Sequence, residues 1–152
     1  MGNRAVITFD KKPTLESLGI YLHWNGGPES VLAFLEAANQ LNVRIGDDGY
    51  EFARVVQIIA NFFGGTTSIG VGQLKTLDCD NRDNGVFRVS RAGGVVTILQ
   101  NKNGSLKSWK KMDPAEIKKH LYWQPAQAGT PILESILAAN RKIFAGDQPQ
   151  NT

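Results

Sequence analysis

The stretch that decides the fold is IANFFGGTTSIGVG, at Ile59–Gly72. Apolar residues at helical spacing end there at a double glycine, and an alternating strand pattern follows. A second double glycine closes IYLHWNGG, at Ile20–Gly27, where a strand pattern leads into the glycines and a helix pattern begins. We call residues 25–28 the first corner and residues 64–68 the second corner. Both corners are predicted to lie on one core of sheet and helices.

The first half of the chain predicts a hairpin followed by two helices. Short β-branched and apolar runs at Arg4–Phe9 and Leu18–Trp24 are typical of paired antiparallel strands. The first helix opens at Pro28, where the missing N–H costs nothing. The second opens at a capping box formed by Asp48 and Glu51 and ends at the second corner.

The second half predicts a strand meander and two C-terminal helices, which open near Asp113 and at Thr130. The meander strands are Val86–Arg91, Val95–Gln100 and Ser105–Trp109. The prediction is an α+β fold, with an antiparallel sheet (N-terminal hairpin plus later meander) packed against two central helices. A single domain is predicted over residues 1–146, with a flexible tail over residues 147–152.

Composition places the chain among ordinary folded proteins. Of its 152 residues, 41% are hydrophobic and 20% are charged, which is enough apolar content for a core. No apolar run approaches the roughly 20 residues that span a bilayer, so no membrane association is expected. A single cysteine, Cys79, cannot form an internal disulfide and suits a reducing cytoplasm.

The net charge of +3 is unevenly distributed. Residues 1–81 hold 6 Lys/Arg against 9 Asp/Glu, whereas residues 82–120 hold 9 against 3. A basic block on a mildly acidic chain indicates an anionic partner, such as a nucleotide, a nucleic acid or an acidic protein. The alternative is that these cations only solvate a strand and helix face.

Catalytic and metal chemistry find little support in the sequence. The segment DCDNRDNG, at Asp78–Gly85, lacks the closing glutamate of a calcium loop and fits a hairpin turn at Asn84-Gly85 better. Aspartates on both sides of Cys79 are expected to raise its pKa and weaken it as a nucleophile. We therefore assign no catalytic residue, no metal ligand and no cofactor.

Binding chemistry is better supplied, because the corners offer backbone N–H groups and small polar side chains beside the basic block. Aromatic residues interleaved with cations suit a pocket that stacks a base and pairs a phosphate, although they also suit an ordinary core. The residues predicted to bind a ligand are Trp24, Asn25, Gly26, Gly27, Asn61, Gly64, Gly65, Thr66, Thr67, Ser68, Arg88, Arg91, Trp109, Lys110 and Lys111.

Three stretches carry a resemblance to a known group of proteins: GIYLHWNGGPESVLAFLEAA, FARVVQIIANFFGGTTSIGVG and DNGVFRV. They resemble small, mostly uncharacterised proteins of phages, prophages and other bacterial mobile elements, which share a strand–WNGG–helix run and an NFFGG–strand corner. The likeness covers about the first 90 residues. It implies an accessory protein that acts in the host bacterial cytoplasm, where such proteins often block host defence.

Three functions follow as hypotheses. The first is a non-enzymatic protein, expected to form a homo-oligomer, that sequesters a small anionic signal such as a cyclic nucleotide. The second is an inhibitor that docks on a host defence protein, such as a nuclease or CRISPR effector, through the basic block. The third is a small enzyme acting on a nucleotide or nucleic acid, with His23 or His120 as the base.

Overall fold

The structure, a computed structural model, describes residues 2–64, 68–92, 94–113, 115–117, 125–126 and 130–145. The strands of the main sheet are β1 (Ala5–Thr8), β2 (Leu18–Leu22), β3 (Ile69–Gln73), β4 (Val86–Ala92), β5 (Val95–Asn101) and β6 (Lys110–Lys111). The helices described in full are α1 (Pro28–Gln40), α2 (Asp48–Phe63) and α3 (Ile132–Ala145). Residues 115–117 are helical as well, and the rest of the helix predicted near Asp113 lies outside the described residues. A small second sheet pairs β7 (Pro125–Ala126) with β8 (Thr130–Pro131). The α+β fold predicted from the sequence is confirmed.

The six strands of the main sheet lie in the order β3-β2-β1-β4-β5-β6. The N-terminal hairpin is present, since β1 pairs antiparallel with β2 and Ile7 lies opposite Ile20. On its other side β1 pairs in parallel with β4, with Ile7 opposite Phe87. All four residues of β1 are buried, because strands flank it on both sides and side chains cover both faces.

One face of the sheet carries the main core. Inward side chains of neighbouring strands, such as Ile7, Ile20 and Phe87, belong to the same buried cluster as residues of all three helices. Helix α1 is the most enclosed, with residues 31–35 fully buried, because it touches β5, α2 and α3. Burying one such large apolar side chain stabilises the fold by about 1.5–3 kcal/mol.

The opposite face is covered by irregular chain. A smaller cluster forms around Val6, Leu74 and Val86, with Leu106 and Trp109 packed against it. Residues 74–76 form a 3-10 turn directly after β3, and this turn supplies Leu74. The sheet is therefore covered by helices on one face and by loops on the other.

Two predictions for the second half of the chain are wrong: the hairpin turn at Asn84-Gly85 and the position of the third meander strand. Asn84-Gly85 is not a hairpin turn, because residues 81–85 form a loop that leads into β4 and its parallel partner β1. Asn81, which is 1% exposed, organises that loop by accepting hydrogen bonds from the amides of residues 83, 84 and 85. The third meander strand is Lys110–Lys111, since residues 102–109 run as a loop instead.

The predicted capping box at the start of α2 is also wrong. The N-cap residue is Asp47, and it makes no side-chain cap hydrogen bond. Glu51 instead accepts a hydrogen bond from the amide of Gly46 at 2.8 Å and forms an ion pair with Arg91 of β4 at 2.5 Å. Its side chain is 6% exposed and that of Arg91 is 24% exposed, so this ion pair is largely shielded from water.

We predict that Arg91→Gln lowers the free energy of unfolding by about 3 kcal/mol, because it leaves a buried carboxylate without its counter-charge. Urea denaturation of the purified variant measures the change. The double variant Glu51→Gln with Arg91→Gln should lose less than the single variant, since no charge is then left unpaired. A single variant within 0.5 kcal/mol of the parent, the usual range for surface substitutions, would contradict a structural role for the pair.

Candidate ligand-binding cleft

The structure brings the strand that leads into the first corner beside the strand that follows the second corner. Leu22, the last residue of β2, lies opposite Ile69, the first residue of β3. The ladder extends one step further, because the amide of His23 donates to the carbonyl of Ser68 at 2.9 Å. The end of one corner strand thus meets the start of the other.

The first corner is packed tightly against the N-terminal strand. The amide of Gly26 donates to the carbonyl of Asn3 at 2.8 Å, and Gly26 and Gly27 are both buried. A Cβ atom at Gly26 would lie 2.5 Å from that carbonyl oxygen, so only glycine fits. Asn25 supports the turn in the left-handed region, with φ at 58°. The amide of Gly26 is thus used by the fold and is not available to a ligand.

The N-terminus of α1 already carries a negative charge. Gly27 is the N-cap and makes no side-chain cap hydrogen bond, while Pro28 fills the first helical turn. The carboxylate of Glu29 folds back so closely that a Cβ at Gly27 would lie 2.6 Å from Oε1. Because a helix N-terminus favours negative charge, Glu29 is stabilised there and competes with any bound anion.

The second corner contributes to the fold at the residues that the structure describes. Asn61 donates through Nδ2 to Oδ1 of Asn140 at 2.9 Å, which ties α2 to α3. Gly64 ends α2 with φ at 72°, as the sequence predicted for the helix end. Gly65, Thr66 and Thr67 lie outside the described residues.

A cleft of about 750 Å³ opens where the start of α1 faces the end of β5 and the start of β6. Four amide side chains, two lysines and a tryptophan contribute to its wall, together with a proline, a serine and a methionine. Its lining residues are Pro28, Asn84, Gln100, Asn101, Lys102, Asn103, Ser108, Trp109, Lys110 and Met112. Among these described lining residues there is no carboxylate, so the cleft is formally cationic.

Hydrogen bonds from side-chain amides to backbone carbonyls set the shape of the cleft. Asn101 is 2% exposed and donates through Nδ2 to the carbonyl of Ser108 at 2.8 Å, which closes the loop of residues 102–109. Gln100 donates to the carbonyl of Asn84 at 2.9 Å. Asn84 in turn donates to the carbonyl of Arg4 at 2.9 Å. The amide-bearing wall is therefore fixed to β1, β4 and β5 before any ligand arrives.

The basic block does not form one patch, because its strands present successive residues to opposite faces. On β6, Lys110 lies opposite Gln100 and lines the cleft, whereas Lys111 lies opposite Leu99 on the other face. On β4, Arg91 turns towards the helices and pairs with Glu51. The basic residues of the meander therefore do not all converge with the two corners, contrary to the expectation from the sequence. Among the described residues, Lys102 and Lys110 line the cleft together with Pro28 of the first corner.

Arg88 lies on the face of the sheet opposite Arg91, where it contacts Trp109 and Lys11. Its guanidinium carbon lies 5.6 Å from the centroid of the Trp109 ring, which is within range of a cation–π interaction. One guanidinium nitrogen donates to the carbonyl of Lys11 at 3.0 Å. Arg88 therefore supports Trp109 from outside the cleft, and Trp109 is the residue that lines it.

Trp24, Asn25 and Ser68 lie at the corners and are not among the lining residues of the cleft. Trp24 is 46% exposed and meets His23 edge to face at 5.2 Å. Sequence reasoning did not single out the amide side chains that line the cleft. The Asn- and Lys-rich run at residues 101–104 was the available signal, but a polar turn of that kind usually marks only a loop.

An ion pair secures the loop that carries Asn84. Asp83 accepts from Nε of Arg4 at 2.7 Å and from the Arg4 backbone amide at 3.0 Å. These hydrogen bonds hold the pKa of Asp83 below its ordinary value. Arg4 also lies 3.8 Å from Asp78, so it joins two points of the loop to the start of β1.

His23 and Cys79, the described residues among those considered for catalysis, lie outside the cleft. Nδ1 of His23 is 2.9 Å from the hydroxyl of Tyr21, beyond the end of β2. Burial raises the pKa of the Cys79 thiol, and the nearby Asp78 carboxylate raises it further, as the sequence predicted. Cys79 is accordingly a weak nucleophile at neutral pH. His120 lies outside the described residues.

Comparison with protein-family models, with curated proteins and with solved structures finds no match. In the part of the chain that the structure describes, no group of three or more His, Cys, Asp or Glu side chains could hold a metal ion. None of the described helices is both long and apolar enough to cross a bilayer. Among the described residues, the lysines, amides and tryptophan of the cleft are the chemistry that a ligand could use.

We predict that Asp83→Asn destabilises the protein at neutral pH and that the difference from the parent fades in acid. The folded-state pKa of Asp83 is lowered, so its stabilisation is present above the unfolded pKa of about 3.9 and is lost as the pH falls through the folded value. Urea midpoints at pH 7 and between pH 5 and pH 2 measure this. Asp80→Asn, at an exposed aspartate of the same segment, is the control and should change little. A difference that persists undiminished at pH 2 would contradict the assignment.

Proposed function

We propose that the protein is a non-enzymatic binding protein that holds a small anionic ligand with a planar ring, of the cyclic-nucleotide type, in the cleft. The observation that carries this proposal is the meeting of Trp109, Lys102 and Lys110 in one cleft with four amide side chains. A ring system can stack on tryptophan, phosphates can pair with lysine, and a base edge can bond to the exposed amide of Asn103.

The dimensions of the cleft support a small ligand over an extended strand. Its volume of about 750 Å³ lies within the range of about 300–1,000 Å³ that is typical of small-molecule sites. Stacking of one base on an aromatic ring contributes about 1–3 kcal/mol. Two lysines without a competing carboxylate in the wall then favour an anion over a neutral ring compound.

The wall chemistry supports binding without turnover. Among the described residues that line the cleft there is no histidine, cysteine or carboxylate, so the usual general bases are not supplied there. His23 and Cys79 are among the described residues, and neither lines the cleft. A protein of this kind removes its ligand from solution by holding it.

The sequence resemblance supplies the biological setting of the proposal. An accessory protein of a phage or mobile element that binds a cyclic-nucleotide signal in the host cytoplasm would counter a defence that depends on that signal. Sequestration requires that the protein be abundant relative to the signal and that its dissociation constant lie below the signal concentration.

We predict that Trp109→Ala weakens ligand binding about 5- to 150-fold, the equivalent of about 1–3 kcal/mol of stacking. Lys110→Glu should weaken it at least about tenfold, because it removes one cation from the wall and adds an anion. Isothermal titration calorimetry against cyclic di- and trinucleotides and cyclic ADP-ribose isomers measures both.

The matched control is Lys111→Glu, which makes the same charge change at the next residue but on the opposite face of the sheet. It should leave affinity within about threefold of the parent, since only screened long-range attraction changes. Equal losses for the two lysine variants would show that general charge, and not the cleft, controls binding.

The fate of the ligand separates the competing functions. Heat release followed by mass spectrometry should return the bound nucleotide unchanged. Recovery of a converted product would overturn the non-enzymatic proposal in favour of an enzyme. Failure of every panel member to bind, with a host defence protein co-purifying instead, would overturn it in favour of a docking inhibitor.

A further inference from the structure

The two edges of the main sheet differ in how they are protected. On one side the sheet ends with β6, which has two residues, both of them exposed lysines. Short length and lysine side chains are two devices that prevent strands of other chains from pairing with an edge. On the other side the sheet ends with β3, whose five residues, Ile69–Gln73, carry no charge and no proline. That edge has none of these protections.

The backbone of β3 offers a regular set of groups to a further strand. Its ladder with β2 includes the hydrogen bond from His23 to Ser68, so the alternate residues Gly70 and Gly72 bond to β2 as well. The N–H and C=O groups of Ile69, Val71 and Gln73 consequently point away from the sheet. No described strand pairs with that side of β3.

Apolar side chains border this edge on the helix-bearing face. Val71 is 53% exposed, although it lies opposite the fully buried Ile20. Leu18, also 53% exposed, is the diagonal neighbour of Val71 on the same face, since it lies opposite Gln73. An open backbone edge thus coincides with exposed apolar surface, and a strand added there would cover both.

We propose that β3 pairs with β3 of a second copy of this chain, antiparallel about a two-fold axis at Val71. The pattern Gly70-Val71-Gly72 is the same in both directions, so it matches its own antiparallel copy. Because the strand is uncharged, self-pairing opposes no like charges. The outward groups of Val71 in the two copies bond to each other, and the main sheets join into one continuous sheet.

This dimer does not depend on the proposed function. Lys102, Trp109 and Lys110 of the cleft lie between the end of β5 and the start of β6, four to five strands away from β3, or at least about 19 Å at 4.8 Å per strand. Each copy therefore keeps an open cleft, and the dimer presents two of them. Loss of dimerisation should leave the affinity of each cleft unchanged, so the two proposals fail independently.

Sedimentation equilibrium should give the mass of a dimer for the purified parent chain. Val71→Lys should raise the dimer dissociation constant at least tenfold, because it places a positive charge from each copy at the axis. Val71→Thr keeps a β-branched side chain and should stay dimeric. Circular dichroism of both variants must match the parent. A parent that sediments as a monomer at 100-fold dilution and at high concentration alike overturns the proposal.

Crosslinking locates the axis even if Val71→Lys fails to fold. Directly opposed residues in a hydrogen-bonded antiparallel pair have Cα atoms about 5.5 Å apart, within disulfide range. In a Cys79→Ser background, Val71→Cys should form a covalent dimer on mild oxidation. Val95→Cys, 55% exposed on β5, is the matched control and should stay monomeric on a denaturing gel. Equal crosslinking at both positions, or none at residue 71, overturns the proposal.

Discussion

The fold depends on strand β1, whose four buried residues pair antiparallel with β2 and in parallel with β4. Without the parallel pair, the main sheet would be two separate three-stranded sheets, β3-β2-β1 and β4-β5-β6. The register of Ile7 opposite Phe87 aligns the inward side chains of both halves on the face that α1 covers. The main core is therefore one cluster because β1 joins two strand groups that are distant in sequence.

The pairing of β1 with β4 also decides which residues meet at one end of the sheet, where β1 and β4 begin. Parallel alignment puts the start of β4 beside the start of β1, and antiparallel pairing puts the end of β5 next to both. Asn84, Asn101 and the first corner therefore reach one end of the sheet. The cleft is a consequence of strand direction. If β4 ran the other way, its antiparallel partner β5 would also be reversed, and Gln100 and Asn101 would lie at the opposite end of the sheet.

Alternation along strands separates residues that look equivalent in the sequence. Arg88 supports Trp109, whereas Arg91, three residues later, pairs with the buried Glu51 on the helix side. Lys110 and Lys111 divide in the same way. An odd spacing on a strand places two side chains on opposite faces, so a dense run of cations does not make a continuous cationic surface. A basic block can thus hold one structural ion pair and one lysine that lines the cleft.

The sequence by itself determined the α+β class, the N-terminal hairpin, the start of α1 at Pro28, and the glycine that ends α2. These features follow from side-chain periodicity and from local backbone preferences, which act over a few residues. Only the tertiary structure decided that β4 pairs with β1, that Glu51 pairs with Arg91, and that amides at Asn84, Gln100 and Asn101 share a wall. Those partners lie 16 to 80 residues apart, from Asn84–Gln100 to Val6–Val86. They are selected by the packing of the whole core, to which a local pattern is insensitive.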